Sequence, residues 1–162
     1  MMLACAGSAH AAGKDDAKIT WSITNISIKG APGDTINIKL KADMPKGWHT
    51  YSAKKIDGPY TTITADPAAP FKIGGAITAT NVEVIKPNTD ENPFDVAIEE
   101  IKDSGTFTVP VTISADAKPG DASGKLVIKT QVCSAGADGK CVPTKDSVPI
   151  TISVTEKGAA SK

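Results

Sequence analysis

Apolar and polar residues alternate with a period of two along most of this chain. Ile36, Ile38, Leu40 and Ala42 are interleaved with Thr35, Asn37, Lys39 and Lys41. Between Gly105 and Ala115, Phe107, Val109, Val111 and Ile113 share one face; between Lys125 and Cys133, Leu126, Ile128, Thr130 and Val132 do. Val148, Ile150, Ile152 and Val154 close the series. Such alternation predicts strands with one buried and one wet face, as in antiparallel sheets. Near the start, Ile19, Trp21 and Ile23 alternate, then the phase slips to Ile26 and Ile28. That slip marks a β-bulge or two short strands. Shorter extended pieces lie at Thr61–Ala65, Val82–Ile85 and Val96–Ile101, with turn signals at Gly30–Asp34 and Ala117–Asp121. Pro110 removes a ladder donor from its strand, which predicts an edge or bulge position. No helical period of useful length appears. Seven or more short strands predict an all-β fold, an immunoglobulin-like antiparallel β-sandwich. From Ala53 to Thr80 the chain is rich in Gly, Pro, Ala and Thr, and the pattern fixes little.

With 162 residues the chain is long enough for one domain with its own core. Lysine plus arginine and aspartate plus glutamate number 18 each. A zero net charge without a basic patch argues against nucleic acid as a partner. No apolar run is long enough to span a bilayer, so no transmembrane segment is expected. Residues 1–17 read as a signal-peptide remnant and disordered lead, ending its apolar part in the cleavage-like Ala9-His10-Ala11. Its basic n-region and long apolar core are missing, so the signal reads as truncated. Leu3-Ala4-Cys5 weakly resembles a lipoprotein box, which makes Cys5 a candidate anchor. Export to the periplasm or beyond is therefore expected, where a disulfide persists. The domain is expected over 18–155, followed by a disordered tail over 156–162.

Two cysteines, Cys133 and Cys141, flank a small polar loop that joins two apolar runs. This arrangement predicts a hairpin with a cysteine near each end of its loop. Closing so short a ring is worth roughly 2.5–3 kcal/mol by loop entropy. The pair is then either a structural staple or a redox couple. No further ligand lies near it in sequence, and the only histidine besides His49 is His10 in the leader, so no metal site is expected. Trp48-His49-Thr50-Tyr51 is a cluster of aromatics in a chain with few. If this is a strand, His49 faces away from Trp48 and toward solvent. Lys86 to Phe94 is a loop with two prolines, clustered acids and one aromatic. Phe94 either anchors that loop in the core or covers something reactive.

Taken in order, Trp21, Pro45-Lys46-Gly47-Trp48-His49-Thr50-Tyr51, Phe107-Thr108-Val109-Pro110-Val111, and Val132-Cys133 through Cys141-Val142-Pro143 resemble the N-terminal periplasmic domain of the DsbD thiol:disulfide interchange family. The resemblance runs from Lys18 to Thr155. It implies an immunoglobulin-like domain with one redox-active pair, here Cys133 and Cys141. It further implies a cap loop on Asp90, Glu91 and Phe94, and site-lining rings at Tyr51 and His49. Cys141 would form the mixed disulfide and Cys133 would resolve it. The cysteine loop is longer than the family pattern and lacks an aromatic before the second cysteine. The chain also ends after this domain, so the implied electron donor is a thioredoxin-like protein in trans. The acceptors would be disulfide-bearing exported proteins. Exchange of this kind needs no cofactor and, on this reading, no acid or base beyond the thiols. Lys140 would favour a Cys141 thiolate and Asp138 would oppose it. The alternative function is a non-catalytic immunoglobulin-like domain that binds protein, with the disulfide as a staple.

Overall fold

The computed structural model describes residues 19–134 and 139–157. The leader, Cys5, Asp138 and the last residues of the tail lie outside them. Twelve strands follow one another: β1 (Thr20–Ile23), β2 (Lys29–Gly30), β3 (Thr35–Asp43), β4 (Trp48–Tyr51), β5 (Thr62–Ala65), β6 (Phe71–Ile73), β7 (Thr78–Ala79), β8 (Val82–Ile85), β9 (Ile98–Lys102), β10 (Ser104–Ile113), β11 (Gly120–Ser134) and β12 (Cys141–Val154). No helix occurs among the described residues. One sheet runs β1-β3-β10-β6, with β7 also on β10. The other runs β2-β12-β11-β4-β9-β8, with β5 also on β11. All pairings are antiparallel except β2 with β12, which meet in parallel at Ser153 and Val154. The protein is an all-β immunoglobulin-like sandwich.

The alternating apolar faces make the core between the sheets. Ile38, Leu40, Phe107, Val109, Val111, Leu126, Ile128 and Ile152 are buried there. Trp21 lies over Phe107 with ring centroids 5.6 Å apart, and its indole N–H donates to Asp146 Oδ2. The phase slip after Ile23 separates two short strands, β1 and β2, which lie in different sheets.

Pro110 departs from the expected edge position, because β10 is an interior strand of its sheet. The Ile113 N–H donates to Asp34 on the β3 side. Donor direction alternates along a strand, so position 110 faces the other way. There it meets the break between β6, which pairs residues 111–113, and β7, which pairs 107–108. No ladder bond is lost.

Strand β11 positions everything that follows. It pairs with β12 from Gly120↔Val154 to Cys133↔Cys141, and its other edge carries β5 and then β4. Lys102 and Ser104 end strands of different sheets, and Asp103 between them takes φ 62° to make the corner. The same Asp103 accepts the Gly47 N–H and donates its own to Trp48 O, which fixes where β4 begins. Gly47 turns at φ 85°, a conformation that favours glycine.

Candidate redox site

Strand β12 starts at Cys141 itself, and the polar alternation of 141–147 is held as strand by β11. Ser134 and Lys140 exchange the last ladder contact, Ser134 N–H to Lys140 O at 2.9 Å. Their neighbours Cys133 and Cys141 therefore form a non-hydrogen-bonded pair, the closer kind. Their Cα atoms are 4.1 Å apart and the sulfurs are bonded.

Residues opposite one another in a sheet share a face. Cys141, Cys133, His49 and Lys102 thus form one row across β12, β11, β4 and β9. Tyr51, Glu100 and Glu83 form the next complete row across β4, β9 and β8. This is the face turned away from the main core, and alternation alone makes it wet. It is covered near the sulfurs. Tyr51, Ile85, Ile98 and Cys133 form a second buried cluster, with Ile56 packed against it. Ile56 belongs to the loop between β4 and β5, and Gly58 of that loop approaches Val96 of the loop before β9.

The two cysteines end in different surroundings. Cys133 is 2 % exposed, whereas Cys141 is exposed. A shallow groove of about 530 Å³ lies farther along β11 and β12, lined by Gly58, Pro59, Tyr60, Lys129, Gln131 and Pro143 among others but by neither cysteine.

Behind Cys133 stands a polar chain. Tyr51 Oη lies 3.4 Å from Cys133 Sγ, and His49 Nε2 lies 3.3 Å from Tyr51 Oη. The same Nε2 is 3.4 Å from Glu100 Oε1. His49 does not face solvent as the sequence suggested: its side chain is 13 % exposed and that of Glu100 8 %. The two rings meet edge to face at 5.5 Å. Burial pushes the Tyr51 hydroxyl up to about 12, with the Glu100 charge adding to it, so Tyr51 keeps its proton. Burial, then the Lys102 charge, lowers the His49 imidazole. Burial raises Glu100; Lys102 opposes this, while Glu91 and Glu83 reinforce it.

Of the implied cap residues, Asp90 and Glu91 are exposed, and Glu91 acts on the site through its charge on Glu100. Phe94 is 41 % exposed, so it does not anchor the loop in the core. The anchor is Asn92, fully buried. Its Nδ2 donates to Ile85 O and Val96 O, and its Oδ1 accepts the Phe94 N–H. The sequence reading missed Asn92, Ile56 and Glu100. Glu100 shares a face with Ile98 at a spacing of two, the one signal that pointed to it. Among the described residues no group of three or more His, Cys, Asp or Glu side chains is placed to hold a metal ion.

The family model described as Thiol:disulfide interchange protein DsbD, N-terminal, matches residues 18–151. The chain belongs to this family. The DsbD N-terminal match spans both cysteines, His49, Tyr51 and the 86–97 loop. Comparison with curated proteins found no match. Solved structures similar to this DsbD-type domain include a family 123 glycoside hydrolase from Clostridium perfringens, at TM-score 0.46 and 10 % identity over 86 % of the chain. The chain spans 27 % of that hydrolase. AggA, the major subunit of aggregative adherence fimbriae type I from Escherichia coli, gives TM-score 0.40 at 13 % identity, covering 90 % of this chain and 100 % of AggA. The seventh ScaB type I cohesin from Pseudobacteroides cellulosolvens gives 0.42 at 10 % identity, covering 89 % and 96 %.

Proposed function

We propose that this domain is a thiol–disulfide interchange module of an exported compartment. It passes electron pairs between a thioredoxin-like donor and disulfide-bearing acceptor proteins through Cys133 and Cys141. The observation that carries this reading is the asymmetry of the pair, with Cys141 open to attack and Cys133 enclosed behind it. Exchange requires a thiolate to reach one chosen sulfur while the other leaves. Cys141 is the attacked sulfur and forms the mixed disulfide; Cys133 leaves and later resolves. The groove along β11 and β12, which reaches Gln131 and Pro143, gives a partner segment room; the Lys140 ammonium favours a Cys141 thiolate and the Asp138 carboxylate opposes it. Asp90, Glu91 and Phe94 belong to the cap, and Tyr51 and His49 line the enclosed side.

The test is the reduction potential of the pair in a glutathione or dithiothreitol buffer. A structural staple lies below about −300 mV; an exchange-active pair lies above it. A value below that limit, with no acceleration by a thioredoxin-like donor over a small thiol, would leave a staple in a protein-binding sandwich.

Phe94 gives a second expectation. As a half-open cap ring rather than a core side chain, its removal in Phe94→Ala costs no more than about 0.5 kcal/mol, the range of surface substitutions. The same change speeds reduction of the bridge by dithiothreitol. A loss of several kcal/mol in urea unfolding would return Phe94 to the core.

A further inference from the structure

A disulfide needs no ionisable groups to hold it, yet three stand behind this one. Glu100 Oε1 and Tyr51 Oη both approach the same nitrogen, His49 Nε2, at 3.4 and 3.3 Å, and Tyr51 Oη lies 3.4 Å from Cys133 Sγ. Removing a carboxyl and an imidazole from water is costly, and such clusters in enclosed sites are a mark of function. We propose that Glu100 is the residue that holds the proton for Cys133, acting through His49 and Tyr51. The inference rests on the redox reading of the pair and deepens it.

The need arises when the bridge opens. A donor thiolate attacks Cys141 Sγ; the new sulfur–sulfur bond forms, the Cys133–Cys141 bond breaks, and Cys133 takes the electron pair as a thiolate. That thiolate sits where 2 % of the residue meets solvent, so water cannot stabilise it. The Tyr51 hydroxyl gives its proton to the sulfur. His49 Nε2 returns a proton to Tyr51 Oη, having received one from the Glu100 carboxyl. The net change is one thiol formed at Cys133 and one carboxylate at Glu100, beside Lys102. The donor's second thiolate then attacks its own bonded sulfur, releases the Cys141 thiolate, and the donor departs as a disulfide. In the opposite direction the Glu100 carboxylate takes the Cys133 proton by the same hops. The Cys133 thiolate then attacks Cys141 Sγ in the mixed disulfide and expels the acceptor thiolate.

The charges facing this line come from every neighbouring element. Lys102 on β9, Glu83 on β8 and Glu91 in the 86–97 loop all act on Glu100, and Lys102 acts on His49. Burial and the two acids favour the protonated carboxyl, which is the form that can give a proton; Lys102 favours the carboxylate left afterwards. Tyr51, held protonated, serves as a relay and never as the store. Glu100 is a positioning residue in this scheme, since it touches neither sulfur.

The experiment uses the full reduced chain and 5,5′-dithiobis(2-nitrobenzoate), with Cys5→Ser in every chain compared, the wild type included, so that Cys133 and Cys141 are the two thiols present. The first equivalent of thionitrobenzoate reports attack by Cys141, and the second reports resolution by Cys133. In Glu100→Gln, the second phase slows on the order of tenfold or more near neutral pH, the scale of a lost general base. Its pH profile also collapses to a single thiol ionisation, while the first phase stays within about twofold. His49→Gln reproduces the same profile and carries the test if Glu100→Gln does not fold by circular dichroism. Second-phase profiles of both variants superimposable on the wild type overturn the proton-holding role and leave the redox reading intact. A wild-type chain with no second phase overturns both.

Discussion

A Cys133→Ala variant incubated with exported proteins accumulates a mixed disulfide through Cys141, and a Cys141→Ala variant accumulates far less. The asymmetry is structural before it is chemical. Cys141 is exposed, and its removal leaves, among the described residues, Cys133, a residue 2 % exposed. Removing Cys133 deletes the internal attacker that would otherwise break the intermolecular bond, so the intermediate persists. On non-reducing gels the first variant gives discrete bands that vanish with reductant, enriched in thioredoxin-like proteins. Equal faint smears from both variants would instead mark indiscriminate thiols and a staple. Discrete bands from Cys141→Ala alone would keep the exchange reading and reverse the roles of the two cysteines.

Where the alternation was long and one-sided, the fold was legible. Strands β3 and β10 and the end of β12 carry Ile, Leu, Val and Phe at every second position, and nothing else in the chain competes with that pattern. The first half of β12 was not legible, because Thr144 and Asp146 occupy its inward positions. It is strand because β11 pairs with it as far as the cysteines. The pairing also explains Pro143 and Pro149. Both belong to non-hydrogen-bonded pairs, so their missing N–H groups face the outer edge of β12, which among the described residues is paired only at Ser153 and Val154. Prolines there discourage edge-to-edge association.

The two cysteines were legible as a pair but not as an unequal pair. Cys133 falls on the face that alternation assigns to water, and Ile56 of the β4–β5 loop, with Ile85 and Ile98 at the two ends of the 86–97 loop, reverses that assignment. Neither loop has a period to read. The polar chain was hidden for a different reason. Glu100 meets Tyr51 only through the β4–β9 register, across 49 residues of sequence (100 − 51). In sequence it is one of two adjacent glutamates and looks solvent-facing.

Asn92→Ala opens the enclosed sulfur to attack. Three side-chain hydrogen bonds from this one residue tie the 86–97 loop to Ile85, Val96 and its own backbone at Phe94. Asn92 is fully buried, so the alanine leaves the Ile85 and Val96 carbonyls without those donors. Leaving buried groups unsatisfied costs about 1–3 kcal/mol each at most sites. The cost falls mainly on the loop, which carries few apolar contacts and opens locally before the sandwich does. Ile85 and Ile98, at the two ends of that loop, are half of the cluster that shields Cys133. In the wild type, a small thiol such as glutathione forms its adduct on Cys141. In Asn92→Ala, adducts appear on Cys133 as well, and reduction speeds on the order of tenfold, the equivalent of about 1.4 kcal/mol of easier opening. Peptide mapping after alkylation locates the adduct, and the urea dependence of the rate separates the two routes. Local opening exposes little surface and is nearly flat in low urea, whereas reaction through global unfolding rises steeply with it. A steep dependence, or adducts confined to Cys141 in the variant, would show that the loop does not guard the buried sulfur.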